Sequence, residues 1–181
     1  MFDHNLQETI AAQSRFALVA RSKSQMQKKS RKTKTAPDPA TLLEVRTSGV
    51  HGRGVFAIKR IPADTRIIEY TGERKPWDGI EENPDDPRTF LFGLKNGKDV
   101  IDPDKGGNEA RWINHSCEPN CEAIEERGRV FIYALRDLRP GEELSYDYQL
   151  EVDEPRTKEV EQESACHCGS ANCRGTMLEP D

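Results

Sequence analysis

Three thiols fall within eight residues near the end of the chain, in the run Cys166-His167-Cys168-Gly169-Ser170-Ala171-Asn172-Cys173. A C-x-C-x4-C segment offers three tetrahedral ligands, and a structural zinc site closes on four. No fourth cysteine lies nearby, so the fourth donor must come from Cys117, Cys121 or His167. A metal tie from the tail to the loop holding Cys117 would staple a segment too small to fold by itself. The alternative, three reduced cysteines on the surface, leaves their clustering without a cause. The chain has five cysteines, an odd number, which excludes a complete disulfide framework. In an intracellular chain such clustering favours metal over disulfide.

The 181 residues suffice for one domain with a core and a tail. No apolar run approaches the ~18 residues of a membrane helix, and no signal peptide opens the chain. The expectation is an intracellular protein, cytoplasmic or nuclear, with no membrane role and a monomeric state. The net charge of -5 hides a split. Residues 1–36 carry eight Lys or Arg against two acids, whereas residues 37–181 carry nineteen against thirty. An acidic body suits a basic partner, and only the arm suits nucleic acid. Leu6, Ile10 and Phe16 to Val19 could form a short helix, but the following S-K-S-Q-M-Q-K-K-S-R-K-T-K-T has nothing to bury. Residues 1–40 are read as a flexible basic arm, 41–150 as the main domain, and 151–181 as a linker and metal-binding segment.

The main domain reads as mostly β, in many short strands. Leu42 to Val45, Val55 to Ile58 and Arg66 to Tyr70 are punctuated by Gly or Pro. Phe90 to Leu94 and Asp99 to Ile101 flank an Asn96-Gly97 turn, and Cys121 to Glu125 and Val130 to Leu135 flank Arg127-Gly128-Arg129. Both read as hairpins. Leu144 to Tyr148 is a further strand, and Gly79 to Asp86 is acidic and irregular. No long helix is expected after residue 40.

Three further clusters carry polar chemistry. His51-Gly52-Arg53-Gly54 heads a strand, and its glycines let a ligand approach the backbone. Read alone it is a tight turn, and only its company with the other motifs favours a ligand. Arg111-Trp112-Ile113-Asn114-His115-Ser116-Cys117-Glu118-Pro119-Asn120 gathers Arg, two Asn, His, Ser and Cys, whose side chains both donate and accept. Glu143-Leu144-Ser145-Tyr146-Asp147-Tyr148 places two tyrosines on one face of a strand. The two phenols can orient an amine in one pocket, or serve as core tyrosines with bonded hydroxyls.

In this order, together with Glu69-Tyr70-x-Gly72, Ile101-Asp102, Gly107-Asn108 and C-x4-C-R-G, these motifs resemble the SET-domain protein lysine methyltransferases over about residues 41–178. The terminal piece resembles that family's cysteine-rich post-SET segment. The resemblance implies a fold of small curved sheets with a C-terminal pseudoknot, an exception to unthreaded topology, and S-adenosylmethionine as cofactor. It implies that His51, Gly52 and Arg53 contact the cofactor through backbone and that Asn114 and His115 hold its two ends. Arg111 would buttress or contact the same cofactor site, and Met177 and Leu178 would pack on the adenine. Phe90 stands at a cofactor-binding position where many members carry Tyr, which removes one hydroxyl and its hydrogen bond. Tyr148 takes the catalytic position, and Tyr146 lines the lysine pocket and sets how many methyl groups are added, here favouring one. Zinc would be held by Cys166, Cys168 and Cys173 with Cys117 as fourth ligand, leaving Cys121 as a buried thiol. The substrate implied is a lysine-bearing basic protein such as a histone. The rival readings are a catalytically silent SET-like binding module and a nucleic-acid binder acting through the arm.

Overall fold

The computed structural model describes residues 38–80, 90–152 and 156–180. Residues 1–37 of the basic arm and 81–86 of the acidic stretch lie outside the described residues. Ten short strands and one short helix follow in order: β1 (Leu43–Thr47), β2 (Arg53–Ala57), β3 (Arg66–Tyr70), β4 (Glu73–Pro76), β5 (Phe92–Gly93), β6 (Asp99–Asp102), β7 (Asn114–His115), β8 (Cys121–Glu126), β9 (Arg129–Ala134), β10 (Ser145–Tyr146) and α1 (Lys158–Glu163). They form four small sheets, ordered β1-β2, β3-β9-β8, β4-β6-β5 and β7-β10. The mostly β expectation therefore holds.

The strands form where branched and aromatic residues cluster. Arg-Val-Phe-Ile-Tyr-Ala in β9 is buried on both faces and is the middle strand of its sheet. The β8–β9 turn is two residues long, with Arg127 and Gly128 both at positive φ, and Glu126 pairs with Arg129. Arg129 thus belongs to the strand, and the loop has the primed-turn twist that hairpins prefer. In the β5–β6 turn, Asn96 Oδ1 accepts the N–H groups of Lys98 and Asp99, and Gly97 supplies the positive φ.

Two strands escape a reading of hydrophobic pattern. β4 is Glu-Arg-Lys-Pro, held by main-chain pairing to β6 and by Lys75 Nζ on Asp102 at 2.6 Å. β7 pairs in parallel with β10, placing Asn114 beside Ser145 and His115 beside Tyr146. That two-residue pairing builds the site. The expected strands over 90–94 and 144–148 shrink to two residues each; beside the second, Leu144 N–H donates to Val55 O of β2 and Tyr148 N–H to the His115 ring. The core beneath is Val55, Ile61, Ile67, Phe92, Ile113, Val130, Ile132, Leu138 and Leu144, all essentially without solvent contact. Among the described residues no helix is long and apolar enough to cross a membrane.

Candidate active site and thiol cluster

Asn114 ties three segments together. Its Nδ2 lies 3.0 Å from Arg53 O, 3.3 Å from His51 O and 2.8 Å from Glu143 Oε1. Glu143 also accepts from Ser48 Oγ at 2.8 Å, and Ser48 Oγ in turn accepts the N–H of Val50 at 2.9 Å. The glycine-rich loop is thus held to the Asn114 strand through one carboxylate. Gly54 makes this possible, since a Cβ there would sit 2.2 Å from Glu143 Oε1. Gly54→Ala is expected to displace Glu143 and lower the unfolding temperature by about 5 °C, on the ~2 kcal/mol of a lost charge-assisted hydrogen bond, read by a thermal melt. His51, Gly52 and Arg53 are exposed, Gly52 is at positive φ, and nothing lies within 4 Å of where its Cβ would be. The Oδ1 of Asn114 takes no partner among the described residues. An uncovered backbone next to an unused acceptor fits a polar ligand laid across this loop.

His115 faces inward. Its Nδ1 accepts the Tyr148 N–H at 3.1 Å, so the neutral ring carries its proton on Nε2, which lies 3.4 Å from Cys117 Sγ. Burial pushes its pKa down to about 4. The imidazole is therefore committed to interior partners, and only the His115 main chain remains for a ligand. Asn120 completes the frame: its Nδ2 donates to Glu143 O at 2.7 Å and its Oδ1 accepts from Ser145 N at 2.9 Å.

Four aromatic rings form a continuous wall beside this frame. Tyr146 and Tyr148 stand 4.8 Å apart, Phe92 lies 6.3 Å from Tyr146, and Tyr70 lies 5.3 Å from Phe92. Tyr148 Oη donates to Ile113 O at 2.7 Å and Tyr70 Oη to Phe90 O at 2.5 Å. The Tyr146 hydroxyl has no partner among the described residues. Burial raises the pKa of all three phenols, so each stays neutral near pH 7. Phe90 is edge-on to Trp112 at 5.1 Å, and the Arg111 guanidinium lies over both rings. Arg111 is anchored to Pro103 O at 2.9 Å and Asp104 at 2.5 Å, a buttress for this wall. An open cavity of about 660 Å³ borders Arg53, Arg111 and Trp112 together with Leu43, Val45 and Gly107 to Glu109.

Leu178 requires a correction. It is 1% exposed, in the core and bridged to Leu150, so it offers no surface to an adenine. Adjacent residues of an extended segment face opposite ways, and it is Met177 that lies partly uncovered.

The tail returns to the same place. The Sγ atoms of Cys117, Cys166, Cys168 and Cys173 all lie within 4.8 Å of one another, with Cys117 3.7 Å from Cys166 and 3.9 Å from Cys173. Four thiolates about 2.3 Å from a tetrahedral zinc stand roughly 3.8 Å apart, so the donor set fits. Main-chain N–H groups of Cys168, Arg174 and Gly175 point at sulfurs at 3.4 Å, as thiolate ligands require. Burial opposes ionisation of Cys168, but hydrogen bonds, led by that of Ser170, outweigh it and bring its pKa down to about 5. Cys121 is fully buried outside the cluster, and burial pushes its thiol up to about 12. His167 is exposed and also outside it. Of the three donors left open by the spacing, geometry brings in Cys117.

A profile of the SET domain matches residues 52–149, more than half of the chain. The chain belongs to the SET-domain family. Over 145 residues the chain is 41% identical to the H3 lysine-4 specific histone-lysine N-methyltransferase of Saccharomyces cerevisiae, covering 72% of this chain and 12% of that protein. It is 35% identical to histone-lysine N-methyltransferase SETD1B of Homo sapiens over 140 residues, covering 72% of this chain and 7% of that protein. The chain thus spans about an eighth or less of these relatives. Among solved structures, KRYPTONITE in complex with mCHG DNA and SAH matches with a TM-score of 0.61 at 33% identity, covering 75% of this chain and 29% of that one. In the SET domain and the tail behind it, several contributors escaped the sequence reading. Tyr70, Glu143, Asp147 and Arg174 all sit inside the quoted motifs, but no local spacing says what they touch.

Proposed function

We propose that this SET domain transfers a methyl group from S-adenosylmethionine to a lysine ε-amine of a histone or similarly basic protein, with a single methylation favoured. The observation that carries the reading is the convergence of Tyr70, Tyr146 and Tyr148 beside the Asn114-tethered glycine loop. When bound, the cofactor supplies an electrophilic methyl on a sulfonium. The main chain of His51, Gly52 and Arg53, with Asn114, would hold it, with Phe90, Trp112 and Arg111 walling the site. Cys117, Cys166, Cys168 and Cys173 would hold zinc, whose role there is structural. That the relatives are histone-lysine N-methyltransferases supports both the chemistry and a nuclear, chromatin-associated setting.

The tyrosines account for the amine's side of the reaction. Only a neutral amine attacks, yet a lysine in water has a pKa near ~10.4. A wall of neutral buried phenols is dry and offers no carboxylate, so it disfavours the ammonium form. The Tyr148 proton is spent on Ile113 O, so its oxygen lone pairs are left to accept an amine N–H and aim the nitrogen. The acidic balance of residues 37–181 draws a basic peptide towards the site.

Incubation with labelled cofactor and a histone mixture, followed by mass spectrometry, tests the reading. Labelled lysine is the expected result, and cofactor binding without any transfer would favour a silent SET-like module. Product number tests Tyr146 separately. Its unpartnered hydroxyl can hold a water where a second methyl would go. Tyr146→Phe is expected to shift product towards di- and tri-methyl-lysine while the first transfer changes less than about threefold, a loss well below one hydrogen bond. Abundant tri-methyl-lysine from the parent would refute the pocket argument.

A further inference from the structure

We propose that Arg174 is a positioning residue that couples the four-thiol cluster to the tyrosine wall by way of Asp147. Arg174 follows Cys173 directly, and its main-chain N–H donates to Cys117 Sγ at 3.4 Å. Its guanidinium meets both carboxylate oxygens of Asp147, at 3.1 and 2.7 Å. Asp147 stands between Tyr146 and Tyr148 in sequence, and its side chain is 4% exposed. A carboxylate so buried is strongly disfavoured unless paired and hydrogen-bonded. Asp147 Oδ1 also lies 3.7 Å from His115 Nδ1; losing the guanidinium removes its two-point cation contact, which shifts the carboxylate and the 146–148 backbone with it. That backbone carries both phenols and the N–H that bonds His115.

The other end of Arg174 is set by the cluster. Cys166 N–H donates to Gly175 O at 3.1 Å, closing the tail around Arg174. Where the four sulfurs converge, the Arg174 main chain is held and its fork reaches Asp147. Where they separate, that anchor is lost. One side chain thus transmits the state of the tail to the residues that face the amine. The inference rests on the methyltransferase reading for what the tyrosines do, but the coupling itself can be measured without cofactor.

The test uses the full chain purified with zinc, as parent, Arg174→Gln and the double variant Asp147→Asn with Arg174→Gln. Metal content, hydrogen exchange of the Tyr148 amide with and without a chelator, and kcat and KM for a basic peptide are measured. In Arg174→Gln, zinc should remain at one per chain while Tyr148 exchange accelerates on the order of ten- to hundredfold, the range of a lost charge-assisted hydrogen bond. The kcat should fall comparably, with KM moving less than about threefold, since the ground-state contacts are elsewhere. Chelation should accelerate Tyr148 exchange in the parent and add nothing in Arg174→Gln. Parental exchange in a zinc-loaded Arg174→Gln, or equal chelator sensitivity in both proteins, overturns the proposal. Should Arg174→Gln fail to fold, the double variant leaves no buried charge and is read by the same chelator comparison, with retained sensitivity overturning the coupling. A parent that binds no S-adenosylmethionine yet shows the chelator effect would sink the methyltransferase reading and leave the coupling standing.

Discussion

Cys117→Ser is expected to release the metal altogether, from one zinc per chain to none, whereas Cys121→Ser keeps it. The two residues are four apart in sequence, but only Cys117 has its sulfur among the other three. Binding at such sites is linked to folding and contributes ~10–16 kcal/mol in small zinc domains. Here most of the core lies outside the tail, so the loss falls on the segment from about residue 164 onward and on what it braces. A destabilisation of ~3–5 kcal/mol would lower the unfolding temperature by roughly 10 °C in a chain of this size. Cys121→Ser would instead bury a hydroxyl in the core of β8, costing ~1–3 kcal/mol without touching the metal. Metal analysis beside a thermal melt separates the two effects. Loss of zinc in Cys121→Ser with retention in Cys117→Ser would show the donor set to be wrong.

Tyr148→Phe and Asn114→Ala should fail in different ways. On the proposed reading the Tyr148 oxygen, with its proton donated to Ile113 O, would serve an amine that is aligned only as transfer proceeds. Removing it is expected to lower kcat by on the order of 10²–10³, with cofactor affinity changed less than about threefold. Asn114 would support the ground state on the same reading: it fixes the His51 and Arg53 carbonyls, and its Oδ1 would be left for the cofactor. Its truncation should weaken cofactor binding by roughly ten- to hundredfold, the worth of one or two buried hydrogen bonds. Isothermal titration gives the affinity and initial rates give the turnover. A Tyr148→Phe protein with unchanged kcat would remove the phenol from the mechanism.

The contrast between these two residues shows what a linear reading can reach. The period of two placed Tyr146 and Tyr148 together, and their rings do meet. The N-H-S-C run and the C-x-C-x4-C run each announced chemistry through residue types that are costly to gather without a use. The positions of both hairpin turns were legible as well, because Gly97 and Gly128 are needed locally at positive φ. These features depend on neighbours within a few residues, where chain geometry alone fixes the contact.

What only the tertiary structure decided involves partners far apart in the chain. Cys117 and Cys166 are 49 residues apart, Asn114 and Arg53 61, and Asp147 and Arg174 27. No side-chain periodicity reports on such pairs. They are set by the parallel β7–β10 ladder, two residues long and invisible to hydrophobic pattern, and by the tail that docks against it. The inward turn of His115 and the burial of Leu178 follow from the same packing. Their residue types admit both a ligand-facing and a core-facing placement, and only the neighbouring backbone donor in one case and Leu150 in the other selects the interior.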